Sequence, residues 1–432
     1  MLTAKLKSVF SADRRFNRDV LWNVGSLAVL GLSGVVINVM IARDPDYGDD
    51  ALGVFNQVFA FYIVLSQIAV AGVHLSALKH VSHNQDDREK CAAISSAAFI
   101  LAGVMGLVVC GAAFLLRDWV GYFWKSPGIS VGIGLIAPGL LLFAVNKVLI
   151  SVVNGMRHMR AYAVFNGLRF VLIVLALIVM IRRDVQVNYL AASLSIAEAV
   201  LFLALFVYVN LRVTALWPTR ETSKWFKPHL DFGLRGFLSG MLSEMNTRVD
   251  ILMLGFFESD AIVGLYSFAA IPAEAFAQLT MVIRRNVDPI IGAHFAKGEL
   301  DQIHDFARRV KRMVYAAMAV IGAAAVIAYP FAVKLFVADQ RFAETWPFFA
   351  ILTLGIVLRS GYVAFYGVLL QGGRPGMHTL FVAGVVLSNV ILNAALIPLL
   401  GLYGAAIATS VVFVLEAFLI HVFAKRLLNI RL

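Results

Sequence analysis

Residues 91–116 read CAAISSAAFILAGVMGLVVCGAAFLL, a run of 26 residues without one charged side chain. Wound as a helix at 1.5 Å per residue, it spans about 39 Å, more than the roughly 30 Å of hydrocarbon in a bilayer. Outward from it, similar runs fall near 20–42, 51–78, 129–152, 162–181, 189–212, 232–256, 261–284, 313–337, 347–370, 379–398 and 403–424, twelve in all. The 432-residue chain is 60% hydrophobic and 15% charged, with a mean hydropathy of +0.83. Soluble domains run at roughly 45–50% apolar and about 25% charged. These values exclude a soluble fold and predict an all-α membrane protein of about 12 transmembrane helices.

The net charge of +11 points to topology and not to nucleic acid, because its basic residues gather at helix ends and in alternate loops. With the N-terminus inside, inner segments hold about 25 Lys and Arg and outer loops about 7, while Asp44–Asp50 and Glu258–Asp260 are acidic. That bias predicts both termini in the cytoplasm. Cys91 and Cys110 lie 19 positions apart on one predicted helix. That is about 28 Å along its axis, out of reach of a disulfide. The run Val20–Ala42 is too long for a signal-peptide core and lacks a small-residue cleavage site. Ahead of it, Leu2, Leu6, Val9 and Phe10 recur at helical spacing among Lys5, Lys7, Arg14 and Arg15. Two readings stand: an amphipathic helix on an anionic inner leaflet, or a basic tail that only signals topology.

The chain repeats itself at half length. Gly53-Val54-Phe55 matches Gly264-Leu265-Tyr266, Asn154-Gly155-Met156-Arg157 matches Gln371-Gly372-Gly373-Arg374, and Tyr189-Leu190-Ala191-Ala192 matches Tyr403-Gly404-Ala405-Ala406, at offsets of 211, 217 and 214. Six helices per unit is even, so both halves enter the membrane in the same sense. The expected architecture is two six-helix lobes related by a pseudo-two-fold axis along the membrane normal. The expected organisation is a basic amphipathic segment 1–19, an N-lobe 20–212, a cytoplasmic linker 213–231, a C-lobe 232–424 and a basic cytoplasmic tail 425–432. The longest inner loop, near 285–312, reads as a turn around Pro289, Gly292 and Gly298, then a surface helix over Glu299–Arg312. No long soluble insertion is expected, which places function within or beside the bilayer.

The chain carries no GxxxxGK[ST], HExxH, paired CxxC or GxSxG pattern, so no enzyme, metal or cofactor is expected. His80 and His83 read as surface residues of a basic inner loop. The informative residues are charges inside predicted spans: Lys147, Arg169, Glu198, Arg235, Glu244, Arg248, Asp250, Glu274, Arg359 and Glu416. A charge at mid-bilayer costs from about 2.5 to over 10 kcal/mol, so it faces protein or a watery cavity. Lys147, Arg169 and Arg235 lie near enough to the inner end to snorkel, whereas Arg248, Arg359, Glu244, Glu274 and Glu416 are deeper. On a wheel of the seventh run, Arg235, Ser239, Asn246 and Asp250 share one side. Glu244 and Arg248 share the other, at the i,i+4 spacing of an ion pair. That pair has two readings, a packing element or a polar lining whose cation a substrate anion can claim. Pro138, Pro272 and Pro330 fall inside spans and mark bends.

The stretch Thr247-Arg248-Val249-Asp250-Ile251-Leu252-Met253-Leu254-Gly255-Phe256-Phe257, followed by Val263-Gly264-Leu265-Tyr266-Ser267, resembles the seventh-to-eighth helix signature of polysaccharide-biosynthesis flippases. Pro289 with Gly298-Glu299-Leu300, and Gln371-Gly372-Gly373-Arg374-Pro375, resemble that family's following inner loop and its Gly-rich turn before the eleventh helix. The resemblance implies the multidrug/oligosaccharidyl-lipid/polysaccharide (MOP) exporter superfamily, nearest its O-antigen (Wzx-type) branch. It implies a flippase that turns an undecaprenyl-pyrophosphate-linked oligosaccharide across the bacterial inner membrane, with membrane lipids, a polysaccharide polymerase and assembly proteins as partners. Arg248, Arg359, Lys147 and Arg235 are then candidates for the substrate phosphates. Glu244, Glu274 and Glu416 are candidates for proton or cation coupling, and Asn246 and Asp250 for cavity or structural polar roles. Lipid II flippases of the superfamily carry cations in their first two helices, where this chain has Asn23, Asn38, Asn56 and Gln67. An ion-coupled multidrug or metabolite antiporter is the other alternative.

Overall fold

The structure, a computed structural model, describes residues 14–337, 339–430 and 432. Twelve spans follow in order: span 1 Arg14–Arg43; span 2 Gly48–Val70, continued by Val73–His83; span 3 Arg88–Phe123; span 4 Pro127–Gly155; span 5 Met159–Arg182; span 6 Ala192–Arg212; span 7 Phe226–Asn246, continued by Val249–Phe257; span 8 Asp260–Lys297; span 9 Leu300–Phe336; span 10 Trp346–Val363, continued by Val368–Gln371; span 11 Pro375–Leu400; and span 12 Leu402–Leu428. Ten described helices are long and apolar enough to cross a membrane. Span 1, with its apolar stretch Ala28–Arg43, and the broken, charged span 7 complete the set. No strand occurs among the described residues.

Local chemistry sets the helix ends. Asp87 caps span 3 by accepting from the Lys90 amide at 3.0 Å, and Ser126 stands before span 4 with Pro127 at the first helical position. Gly298 stops span 8 at φ +70° and Asn429 stops span 12 at φ +56°.

Several expectations need correction. Residues 1–13 of the expected N-terminal segment lie outside the described residues, and from Arg14 the chain is already part of span 1. Runs 51–78, 232–256 and 347–370 are each two helices, broken at Ala71–Gly72, Thr247–Arg248 and Ala364–Gly367. Span 8, conversely, passes straight through Pro272 and Pro289. The chain turns only at Gly298–Glu299, and the expected surface helix is the start of span 9. Inside a bundle, neighbouring groups satisfy the carbonyl that proline orphans, so a proline bends a helix there without ending it.

The halves pack alike. Contacts 1–5, 2–4, 3–4, 4–6 and 5–6 in the first recur as 7–11, 8–10, 9–10, 10–12 and 11–12 in the second. Spans 1 and 2 of one lobe meet spans 7 and 8 of the other. Twelve crossings bring the chain ends to one face, called here the end face; the other is the far face. At the far face, the paired glycines of the repeat touch. A Cβ on Gly53 would stand 1.7 Å from the Asp260 carbonyl oxygen, and one on Gly264 2.0 Å from that of Asp49. Only glycine allows two backbones so close.

Candidate functional site: the interlobe cleft

Span 7 supplies the C-lobe wall of the cleft. Its inner helix turns Gly233 and Gly236 onto Gly72 and Leu75 of span 2, where a Cβ on Gly72 would lie 2.2 Å from the Gly233 carbonyl oxygen. One and more turns further along the same face, Gly240, Ser243, Glu244 and Thr247 are exposed. The seam between spans 2 and 7 is thus closed near the end face, and the exposed polar residues Ser243, Glu244 and Thr247 follow on the same face above it. Leu234 and Leu238 of the same helix are exposed apolar residues.

The break at Thr247–Arg248 overturns the wheel reading, which assumed one straight helix. Asn246 accepts from Asn389 Nδ2, at 3.1 Å through Oδ1 and 3.2 Å through its backbone oxygen. Asp250 accepts from Tyr266 Oη at 2.6 Å and from the Ile251 amide at 2.9 Å. Both residues are committed to packing within the C-lobe. Glu244 is exposed and forms no ion pair with Arg248. Arg248 instead donates from Nη1 and Nη2 to the two oxygens of Glu274, 3.2 Å each. Arg248 is only 14% exposed, but Glu274 is 36% exposed. A bidentate pair with one open partner is geometrically suited to exchange. The Arg248 guanidinium also lies 5.6 Å from the Phe59 ring of span 2.

Arg359 and Glu416 form the second C-lobe pair, with Nη1 to Oε2 at 2.7 Å and the guanidinium 3.8 Å from the Phe413 ring. Both arginines keep a buried Nε–H that makes no hydrogen bond among the described residues. Lys147, on the N-lobe side, is partly exposed and joins no ion pair there. It feels the charges of Arg169, Glu198 and, across the cleft, Glu244. Arg235 is exposed lower on span 7 and joins none of these clusters. Of the four expected phosphate ligands, Arg248 and Lys147 both lie in the neighbourhood of Glu244.

Arg169 does not snorkel. Its Nε stands 2.6 Å from Glu198 Oε1, and both side chains are buried. Tyr62 Oη and Asn146 Nδ2 donate to the same carboxylate at 2.8 and 2.7 Å, and Arg169 lies over the Phe143 ring at 4.3 Å. Charge inside a span flagged Glu198 in the sequence, but its three partners sit on other helices. The lobes echo each other here too. Span 4 binds the buried acid of span 6 through Asn146–Glu198, and span 10 binds that of span 12 through Arg359–Glu416. His80, expected at the surface, packs 5.1 Å from the Trp225 ring and 5.9 Å from that of His229.

The sequence pattern of the polysaccharide biosynthesis protein family matches residues 19–295. The chain belongs to that family. Among curated proteins nothing matches. This family member shares its fold with the inward-facing form of a multidrug resistance MATE family transporter of the MOP superfamily: TM-score 0.77, 13% identity, 93% of this chain and 94% of that one. It is also similar to lipid II flippase MurJ in its inward closed conformation: TM-score 0.76, 14% identity, 94% of this chain and 87% of that one. The MATE multidrug transporter DinF-BH follows at TM-score 0.67 and 17% identity, over 97% and 96% of the chains. The two-lobe, twelve-span architecture is that of the MOP superfamily.

Proposed function

We propose that the chain is a flippase. It moves an undecaprenyl-pyrophosphate-linked oligosaccharide from the inner to the outer leaflet of the bacterial inner membrane by alternating access, for surface polysaccharide assembly. In this reading the end face is cytoplasmic, residues 213–231 are the cytoplasmic linker between the lobes 20–212 and 232–424, and residues 425–432 are a basic tail. A polymerase and assembly proteins receive the product.

The observation that carries this reading is Arg248, a largely buried guanidinium whose partner Glu274 is partly exposed. A pyrophosphate offers the same two-point acceptor geometry with more charge, so it can displace the carboxylate. At about 4 Å and an effective dielectric near 20 the attraction is about 4 kcal/mol per unit charge before desolvation. The positive end of the helix Val249–Phe257 lies at the same break. Lys147 supplies a second, unpaired cation across the cleft, Arg235 an entry cation nearer the end face, and Arg359 a further station once Glu416 lets go. Ser243 and Thr247 offer hydroxyls to the sugars, while the prenyl chain stays in lipid. Glu244, Glu274 and Glu416 are the groups that take up a proton or cation when the arginines turn to phosphate. Without such coupling, expelling a headgroup of charge −2 from a negative interior gains about 2.3 kcal/mol per charge per 100 mV.

The test measures surface glycan beside the amount of folded protein. Arg248→Ala, Lys147→Ala and Arg359→Ala lower glycan output by more than any loss of folded protein accounts for, and Arg248→Lys keeps part of it. Normal glycan from a stably folded Arg248→Ala variant sinks the phosphate site. A second reading, an ion-coupled drug antiporter, draws on the exposed carboxylate of Glu244 and the partly exposed one of Glu274; drug-sensitivity profiling of a deletion strain separates the two. Against the lipid II reading, Asn56 donates to Asn38 at 2.9 Å where spans 1 and 2 meet, and the cations of those spans lie at their ends and not at that depth.

A further inference from the structure

Two clamps close the far face, and they are copies of each other. Asp49 lies in the first turn of span 2 and Asp260 in the first turn of span 8. They are 211 residues apart, the same offset as Gly53 and Gly264. Each carboxylate is gripped by the opposite lobe. Asp49 Oδ2 accepts from Arg341 Nη1 at 2.6 Å, and Arg341 is braced by Asp339, which accepts from Nη2 at 2.8 Å and from Nε at 3.0 Å. Asp260 accepts from Ser126 Oγ through Oδ2 and from Gln57 Nε2 through Oδ1, both at 2.6 Å. Ser126 directly precedes span 4, and Arg341 lies in the turn Gln340–Thr345 that leads into span 10, 215 residues later. Duplication thus places an aspartate at the head of each central helix and a donor ahead of the fourth helix of the other lobe.

We propose that Asp49–Arg341 and Asp260–Ser126–Gln57 form a duplicated latch that holds the far-face gate shut, and that both halves must release before the cleft opens there. The two clamps flank the Gly53–Gly264 contact, so neither lobe can swing away while either holds. The halves differ in chemistry. One is an ion pair with a half-exposed arginine, which salt weakens. The other is a set of charge-assisted hydrogen bonds from neutral donors, which salt weakens less. The inference rests on the alternating-access reading but not on the identity of the cargo.

The experiment reads the gate directly. A Ser243→Cys reporter in the cleft, with Cys91 and Cys110 replaced by Ser, is labelled from the far face by a membrane-impermeant thiol reagent. Asp49→Asn and Asp260→Asn each speed labelling severalfold, and the double variant speeds it about tenfold or more, the response to roughly 1.4 kcal/mol of gating energy. Exchanging the partners of the neutral clamp, Ser126→Asp with Asp260→Ser, returns the rate toward that of the parent and shows that the fold is intact. A double variant labelled no faster than the parent overturns the latch. A response from only one clamp overturns its duplication. Faster labelling with no glycan transport in the parent protein leaves the latch standing and removes the cargo assignment instead.

Discussion

Arg248 and Glu274 face each other across the junction of spans 7 and 8, joined by two hydrogen bonds of 3.2 Å. The acid four residues before Arg248 in sequence, Glu244, takes no part in that pair. The break at Thr247–Arg248 swings the guanidinium off the face of the preceding helix, so the pairing partner comes from another span.

The first prediction follows from that geometry. Glu274→Gln or Arg248→Ala lowers the melting temperature in detergent, and Arg248→Met with Glu274→Gln recovers part of the loss. Because Glu274 is partly exposed, the loss falls between the roughly 1 kcal/mol of a surface pair and the 3–5 kcal/mol of a buried one. Glu244→Gln leaves the melting temperature unchanged. An equal drop from Glu244→Gln contradicts the assignment.

The Arg169–Glu198 cluster gives a larger effect. Both partners are buried, and Tyr62 and Asn146 also bond the carboxylate. Glu198→Ala strands three donors, and a one-sided break of this kind costs about 3–5 kcal/mol. Fluorescence-detected size exclusion of the membrane extract then shows little folded protein. Arg169→Leu with Glu198→Leu restores the folded peak, because an apolar pair strands no charge. Wild-type yield from Glu198→Ala alone rules out a structural role.

Glycine substitutions separate close contact from propensity. Gly53→Ala and Gly264→Ala push a methyl into opposing backbone, which destabilises by about 1–3 kcal/mol where nothing can move aside. Gly103→Ala in span 3 meets nothing within 4 Å and is neutral or stabilising, by up to about 1 kcal/mol. Melting curves of the three variants rank them, and equal melting of all three denies the tight crossing.

Acid titration tests the brace on the far face. Hydrogen bonds from Arg341 hold the Asp339 carboxyl below its usual range. A carboxylate with a depressed folded pKa contributes stability above its unfolded pKa, near 4, and that contribution is lost as pH falls through the folded value. The Asp339 brace on Arg341 therefore holds unchanged from pH 8 to about 5 and weakens only in stronger acid. Accessibility of the Ser243→Cys reporter across that range checks the sign; opening between pH 8 and 6 contradicts it.

Much of this architecture was legible without coordinates. Uncharged runs such as 91–116 announce membrane helices because hydrocarbon tolerates only satisfied backbone and apolar side chains. Twelve mostly apolar runs and three matched anchors carry the count, the duplication and the two lobes. The misreadings share one cause. Pro289 reads as part of a turn and Thr247–Arg248 as continuous helix, because local sequence registers propensity and not the neighbours that satisfy a bent backbone.

The partners of the charges belong to tertiary structure alone. Sequence marks Arg248, Glu274, Arg359 and Glu416 as charges too deep to be idle, on the strength of what burying an ion costs, and flags Arg169 and Glu198 only as charges inside spans, with Arg169 near enough to the inner end to snorkel. It could not say that they pair as Arg248–Glu274, Arg359–Glu416 and Arg169–Glu198, separated by 26, 57 and 29 residues. An ion's desolvation penalty is a property of one residue and its depth, which a run of letters records. Its compensation depends on which helix faces it, at distances of about 3 Å, and only the packing of spans against one another decides that.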